Sequence, residues 1–123
     1  MELSNAHMRY LYTIYEISRT TPDVCSANVA KRMRVSRPSV AKMLCVLMEK
    51  GLIVKERYGA VHLTDKGLQL ARKYDRTVRL MTERLPMTGL PLTEEETHQV
   101  ACAAAAVLPN KKWGVLQNAR KDG

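Results

Sequence analysis

The sequence predicts a mainly α-helical fold that carries one small β-hairpin. Apolar residues recur at helical spacing through most of the chain, and the period shortens to two only over residues 52–64. Hydrophobic residues make up 46% of the chain, enough for a packed core, yet no apolar run approaches the ~20 residues of a membrane span. At 123 residues this is one ordinary domain, or a small domain with an appended helical arm.

Residues 5–18, NAHMRYLYTIYEIS, predict the first helix, with Met8, Leu11, Tyr15 and Ser18 on one stripe and Ile14 beside them. Thr20-Thr21-Pro22-Asp23 breaks that pattern. A short helix around Ala27–Met33 follows, with Val29, Ala30 and Met33 turned inward and Lys31 and Arg32 turned away. Arg34-Val35-Ser36 is a tight connection. Ser36 is the expected N-cap of a third helix, because its hydroxyl can accept from a backbone N–H two or three residues on. Pro38 suits the first turn, where its missing N–H costs nothing. Val40, Leu44, Leu47 and Met48 give this helix a buried stripe, and Gly51 stops it.

Leu52–Arg57 and Ala60–Thr64 read as two strands joined at Tyr58-Gly59. A long helix then runs from about Lys66 to Arg84, with Leu68, Ala71, Tyr74 or Asp75, Val78 and Met81 on or near one face. Leu85–Pro91 reads as a linker. Thr93 and Glu96 have capping-box spacing at the start of a further helix that ends near Pro109, and Glu94-Glu95-Glu96 suits the positive end of its dipole. A last short helix is expected over residues 111–120, with Trp113, Leu116 and Ala119 as its docking face.

Charge is unevenly spread along these elements. Residues 31–79 hold 13 basic and four acidic groups, a net +9, whereas residues 1–30 carry −1 and residues 80–123 carry none. Two short helices on a three-residue turn, followed by a hairpin, make a winged helix-turn-helix. Such a second helix fits the major groove of duplex DNA with its first turns at the base edges, and the wing meets adjacent phosphates. Ser39, Lys42 and Met43, with Val46 beside them, lie opposite Leu44 and Leu47 on the third helix. Lys31, Arg32, Lys55, Arg57 and Lys66 are candidates for phosphates, which position a protein without reading sequence.

ANVAKRMRVSRPSVAKMLCVLMEKGLI, followed by VKERYGAVHLTDKG, resembles the DNA-binding domain of the diphtheria-toxin-repressor family of metal-dependent iron and manganese regulators. YLYTIYEIS resembles that family's first helix, and the likeness covers about residues 8–108. The ordered set is fairly specific: an aromatic first helix, SxPSV, EKGLI, a short wing, then LTDKG. The resemblance implies the short kind of member, with a DNA-binding domain over residues 1–67 and a helical dimerisation region over 68–123, and no third, barrel-like domain. It implies a repressor that binds a palindromic operator as a homodimer. Ser36 and Pro38 would touch base edges or thymine methyls, Ser39 would hold a phosphate, and Lys42 would read a base. Arg37 joins them on its own chemistry, because its reach suits guanine or phosphate. Arg34 departs from the pattern, since many such turns use glycine there.

The family is metal-activated, and here the pattern thins. The first-helix ligand positions fall on Arg9 and Tyr12, the long-helix position on Val78, and the next cluster on Cys102, Ala105 and Ala106. Only Cys102 among these is expected to bind a metal. His98 matches an ancillary ligand of some members. The leading expectation is a relative that keeps the scaffold and has degenerate or lost manganese and iron control, and so needs no cofactor. The alternative is a rearranged site for a divalent transition metal (Mn, Fe or Zn). It would use His98 and Cys102, which are i,i+4 on one helix, with His7 and Met8 as further candidates.

Cys25 and Cys45 read as structural, Cys45 as a small hydrophobe beside the buried stripe. Three cysteines do not make a disulfide framework, and MELSNAHMRY lacks the blocks of a signal peptide, so a reducing, cytoplasmic setting is expected. An enzyme is not expected: there is no nucleophile–base grouping and no Gly-rich phosphate loop, and the three histidines lie on separate elements. A winged helix reused as a protein-interaction module without DNA binding is the remaining class, and the charge concentration argues against it.

Overall fold

The computed structural model describes residues 3–57 and 59–107. The helix expected over residues 111–120, with Trp113, and the helix end near Pro109 lie outside them. The chain divides into two compact units, one running to Arg72 and the other starting at Lys73, so the boundary falls inside the long fourth helix.

The first unit opens with α1 (Asn5–Ser18). A reciprocal cap starts it. The Ser4 hydroxyl accepts from the His7 N–H at 3.2 Å, and His7 Nδ1 accepts from the Ser4 N–H at 3.1 Å. Met8, Leu11 and Ile14 are buried as expected, but so are Tyr10, Tyr12, Thr13 and Ile17, while Tyr15 is half-buried and Ser18 exposed. The buried surface of α1 is thus wider than one stripe.

The helix-turn-helix follows as α2 (Ser26–Met33) and α3 (Arg37–Glu49). Val29 and Ala30 anchor α2, and Val40, Leu44 and Leu47 anchor α3. Lys50 closes α3, and Gly51 takes a positive φ of 73°, the left-handed step that a glycine makes without steric cost.

The wing is shorter than the sequence suggested. Strand β1 (Ile53–Lys55) pairs antiparallel with β2 (Val61–Leu63), with Ile53 opposite Leu63 and Lys55 opposite Val61. Ile53 and Val61 point into the core, whereas Val54 and His62 face out, the alternation of a half-covered hairpin. The Val61 N–H donates to the Val24 carbonyl at 2.8 Å, which ties the wing base to the segment before α2.

The fourth helix, α4 (Asp65–Arg84), starts under tight constraint. The Thr64 hydroxyl donates to the Gly51 carbonyl at 2.7 Å and accepts from the Gly67 N–H at 3.1 Å. At Gly67 the helix lies so close to Leu52 that an added Cβ would overlap the Leu52 carbonyl oxygen.

In the second unit, Tyr74, Thr77 and Val78 are the buried residues of α4. The stretch expected as a linker contains a 3₁₀ turn, Leu85–Thr88, with Leu85 buried. The last described helix, α5 (Glu94–Val107), begins at the expected capping box: the Thr93 hydroxyl accepts from the Glu96 N–H at 3.1 Å, and the Thr93 N–H donates to Glu96 Oε1 at 2.9 Å. Thr97, Ala101 and Ala105 are its buried residues. The Tyr74 hydroxyl donates to the Cys102 carbonyl at 3.0 Å and joins α5 to α4.

Candidate nucleic-acid interface

The candidate reading helix is held from behind and open in front. Its inward residues Val40, Leu44 and Leu47 are at most 2% exposed. At 100° per residue the opposite side carries Pro38, Ala41, Lys42, Cys45 and Glu49, all exposed, and Arg37 and Ser39 flank it in the first turn, also exposed. Met43 and Val46 are half-buried on the borders of that surface.

Ser36 acts as the predicted N-cap. Its hydroxyl accepts from the Ser39 N–H at 3.2 Å and lies 2.8 Å from the Ser39 hydroxyl. Both hydroxyls are exposed, so they are ordered by the cap and still reachable from solvent. That is a suitable arrangement for a phosphate or a base edge. Pro38 sits in the first turn, as expected.

The turn that sets the reading helix against α2 is closed by Arg34 at φ 57°, ψ 46°, the left-handed conformation. Its N–H donates to the Ala30 carbonyl. The Arg34 side chain is exposed. Lys31 and Arg32 are exposed on α2, and Arg32 lies 3.8 Å from Glu16 of α1, a loose ion pair that leaves half of its side chain in solvent. On the wing, Lys55 and Arg57 are exposed. Between them, Glu56 pairs with His62 at 2.8 Å across the hairpin. Lys66 is exposed in the first turn of α4.

Cys45 corrects the sequence reading. It is exposed on the outer side of α3, not part of the core beside Leu44. The 100° wheel could have told this, because Cys45 stands well away from the Val40–Leu44–Leu47 direction; cysteine's habit of burial outweighed it.

The metal candidates fall into two groups. In the second unit, His98 Nε2 and Cys102 Sγ come within 3.6 Å of each other on α5, with His98 exposed and Cys102 half-buried. In the first unit, His7 is engaged by its ring in the α1 cap and Met8 is buried. Among the described residues, no three or more His, Cys, Asp or Glu side chains gather into a metal-holding group. Of the other positions at which the family resemblance expected ligands, Arg9 is exposed, Tyr12, Val78 and Ala105 are buried, and Ala106 is half-buried.

Comparison with known proteins bears on the same elements. The family model described as iron dependent repressor, N-terminal DNA binding domain, matches residues 2–61. The iron-dependent repressor IdeR of Mycobacterium tuberculosis is 33% identical over 101 residues, covering 82% of this chain and 44% of that protein. The diphtheria toxin repressor of Corynebacterium diphtheriae is 29% identical over 113 residues, covering 92% and 50%. Among solved structures, the manganese regulator SloR superposes with a TM-score of 0.74 at 28% identity, over 96% of this chain and 55% of that one. The chain spans about half the length of the curated relatives it matches.

Proposed function

The chain belongs to the diphtheria-toxin-repressor family, and from that premise we propose that it is a DNA-binding transcriptional repressor. It reads a palindromic operator as a homodimer through α3 and has lost the family's manganese and iron control. Residues 1–67 read the DNA and residues 68–123 pair the two copies.

The observation that carries this reading is the front of α3. Ser36, Arg37, Pro38, Ser39 and Lys42 are exposed in its first turns, while its back is locked by three buried aliphatic side chains. A helix held in that way presents its N-terminal residues at constant geometry, as major-groove readout requires. Lys31, Arg32, Arg34, Lys55, Arg57 and Lys66 supply phosphate contacts from the neighbouring elements. One reading helix covers too few base pairs for genomic specificity, so two copies on a two-fold site are required. Exposed apolar side chains in the second unit, Met87, Leu90, Val100 and Val107, are surface that a second copy would cover.

Manganese favours oxygen-rich sets of ligands. The residues here do not fit such an ion: where the family resemblance expects ligands, valine and alanine stand at 78, 105 and 106, and the exposed cation Arg9 stands in α1. Control by manganese or iron is therefore absent from the proposed mechanism.

Selection of bound duplexes from random DNA tests the proposal. It is run in a chelator and again with Mn(II) or Fe(II). An inverted repeat enriched equally in every arm is the expected result. No enrichment from any arm overturns DNA reading, and capture of a protein partner by a chain that ignores duplexes would favour the interaction-module reading. Enrichment only with Mn(II) or Fe(II), or tight stoichiometric binding of either ion, overturns the loss of metal control. Lys42→Ala weakens operator binding by about 1–3 kcal/mol and relaxes base preference at one position per half-site. An unchanged footprint and affinity would remove Lys42 from the reading set.

A further inference from the structure

The wing carries an acid among the groups it offers to a polyanion. Glu56 stands between Lys55 and Arg57, and all three side chains are exposed. We propose that His62 is a positioning residue of the DNA interface: it holds the Glu56 carboxylate across the hairpin, so that Lys55 and Arg57 meet phosphates without it. The inference rests on the DNA-binding reading above.

Four observations carry it. The first is the bond. His62 Nε2 and Glu56 Oε1 are 2.8 Å apart, and because a carboxylate only accepts, the imidazole N–H is the donor. The second is the backbone of the wing. The Glu56 N–H donates to the Ala60 carbonyl at 2.7 Å, and the Glu56 carbonyl accepts from the Gly59 N–H at 2.9 Å. Both backbone groups of Glu56 are thus fixed, and the direction of its carboxylate is left to its side-chain partner. The third is the place of His62, at the centre of β2 opposite Val54, on the outward side of the hairpin. The fourth is the state of the cations. Among the described residues, neither Lys55 nor Arg57 is paired with a carboxylate, so Glu56 is engaged with His62 and not with its neighbours in sequence.

Stability of the fold gives no reason for the pair. The His62 and Glu56 side chains remain 45% and 60% exposed, and a pair so open to solvent contributes little to folding. Its consequence lies at the duplex. A carboxylate released at this position would repel phosphates and compete with them for Lys55 and Arg57, within the ~10 Å over which charges act at ordinary salt. Bonded to the ring, it is kept on the hairpin and both cations stay free. A charge at the rim of an interface acts through the rate of encounter and the salt dependence.

The test uses the full chain and a fluorescently labelled duplex of random sequence, because phosphate contacts do not depend on the operator. Affinity and association rate are read by anisotropy at low salt. His62→Ala is expected to bind about three- to tenfold more weakly than the parent, chiefly through slower association. Glu56→Gln binds at least as tightly as the parent. The double variant His62→Ala/Glu56→Gln recovers the parent's affinity, because no carboxylate is left to be held. His62→Gln, whose amide can still donate to Glu56, recovers most of the loss. Far-ultraviolet circular dichroism verifies that each variant is folded, and both side chains, being exposed, can be replaced without disturbing a core. A double variant as weak as His62→Ala, or a His62→Ala variant that binds as the parent does, overturns the role of His62 and leaves the DNA-binding reading standing. A parent that binds no duplex overturns both.

Discussion

Arg34 holds a left-handed backbone at φ 57°, where an L side chain costs about 1–2 kcal/mol. Among the described residues it is the single non-glycine with positive φ. Its N–H closes α2 on the Ala30 carbonyl while its guanidinium stays in solvent, so stability gives no reason to prefer arginine there. Arg34→Gly is expected to stabilise the fold by up to about 1 kcal/mol in denaturant titration and yet weaken DNA binding, lowering the salt dependence by about one ion. Gly67 is the opposite case. It is required by space, because any Cβ meets the Leu52 carbonyl. Gly67→Ala should cost roughly 1–3 kcal/mol, read as a lower urea midpoint with an unchanged slope. Arg34 was legible as a departure from a glycine pattern, and the structure supplies the positive φ. The contact at Gly67 was not legible, since it joins residues 15 apart through backbone that no side-chain pattern reports.

At the scale of elements, caps were the clearest text. Ser36 with Pro38 opens α3, Gly51 ends it, and Thr93 with Glu96 opens α5, each through bonds among residues within a few positions of one another. The Glu96 carboxyl is held below its ordinary value chiefly by the Thr93 backbone N–H, then by the Thr93 hydroxyl, against a small opposing effect of desolvation. A carboxyl lowered in the folded state stabilises it fully above the ordinary carboxylate range, and that contribution disappears as pH falls through the lowered value. Glu96→Ala is therefore expected to lose stability at neutral pH and to converge with the parent in acid, measured as the difference between two urea titrations at each pH. A difference that persists unchanged in acid would sink the capping role. The wing was less legible. Both strands came out shorter than the apolar runs suggested, because only Ile53–Lys55 and Val61–Leu63 pair, and strand ends depend on a partner. The face of α1 was also too narrow as read: Tyr10, Tyr12, Thr13 and Ile17 are buried beyond the predicted stripe, since a helix covered from several sides has no single apolar face.

For the whole molecule, the net +9 of residues 31–79 belongs largely to the unit that contains α2, α3 and the wing. A homodimer whose exposed cations neutralise roughly six to ten phosphates should lose about 10³–10⁵-fold in operator affinity between roughly 50 and 200 mM salt. A shallow salt slope would mean that this charge serves solubility and not DNA. The metal question also belongs to this scale. Spacing along α5 made His98 and Cys102 neighbours on one helical face, but the 3.6 Å between their side chains is a property of their rotamers. The exposure of Cys45, by contrast, was already legible on the 100° wheel of α3.

By itself the sequence determined the order of the five described helices and the hairpin, the caps of α3 and α5, the helix-turn-helix with its wing, and the place of the basic charge, because these depend on periodicity and on hydrogen bonds between near neighbours. The tertiary structure decided how many sides of α1 are covered, how close α4 comes to Leu52, how much of the wing pairs, and whether two ligand-type side chains meet. Those outcomes are set by packing between residues distant in the chain, where burial of one surface fixes the exposure of another.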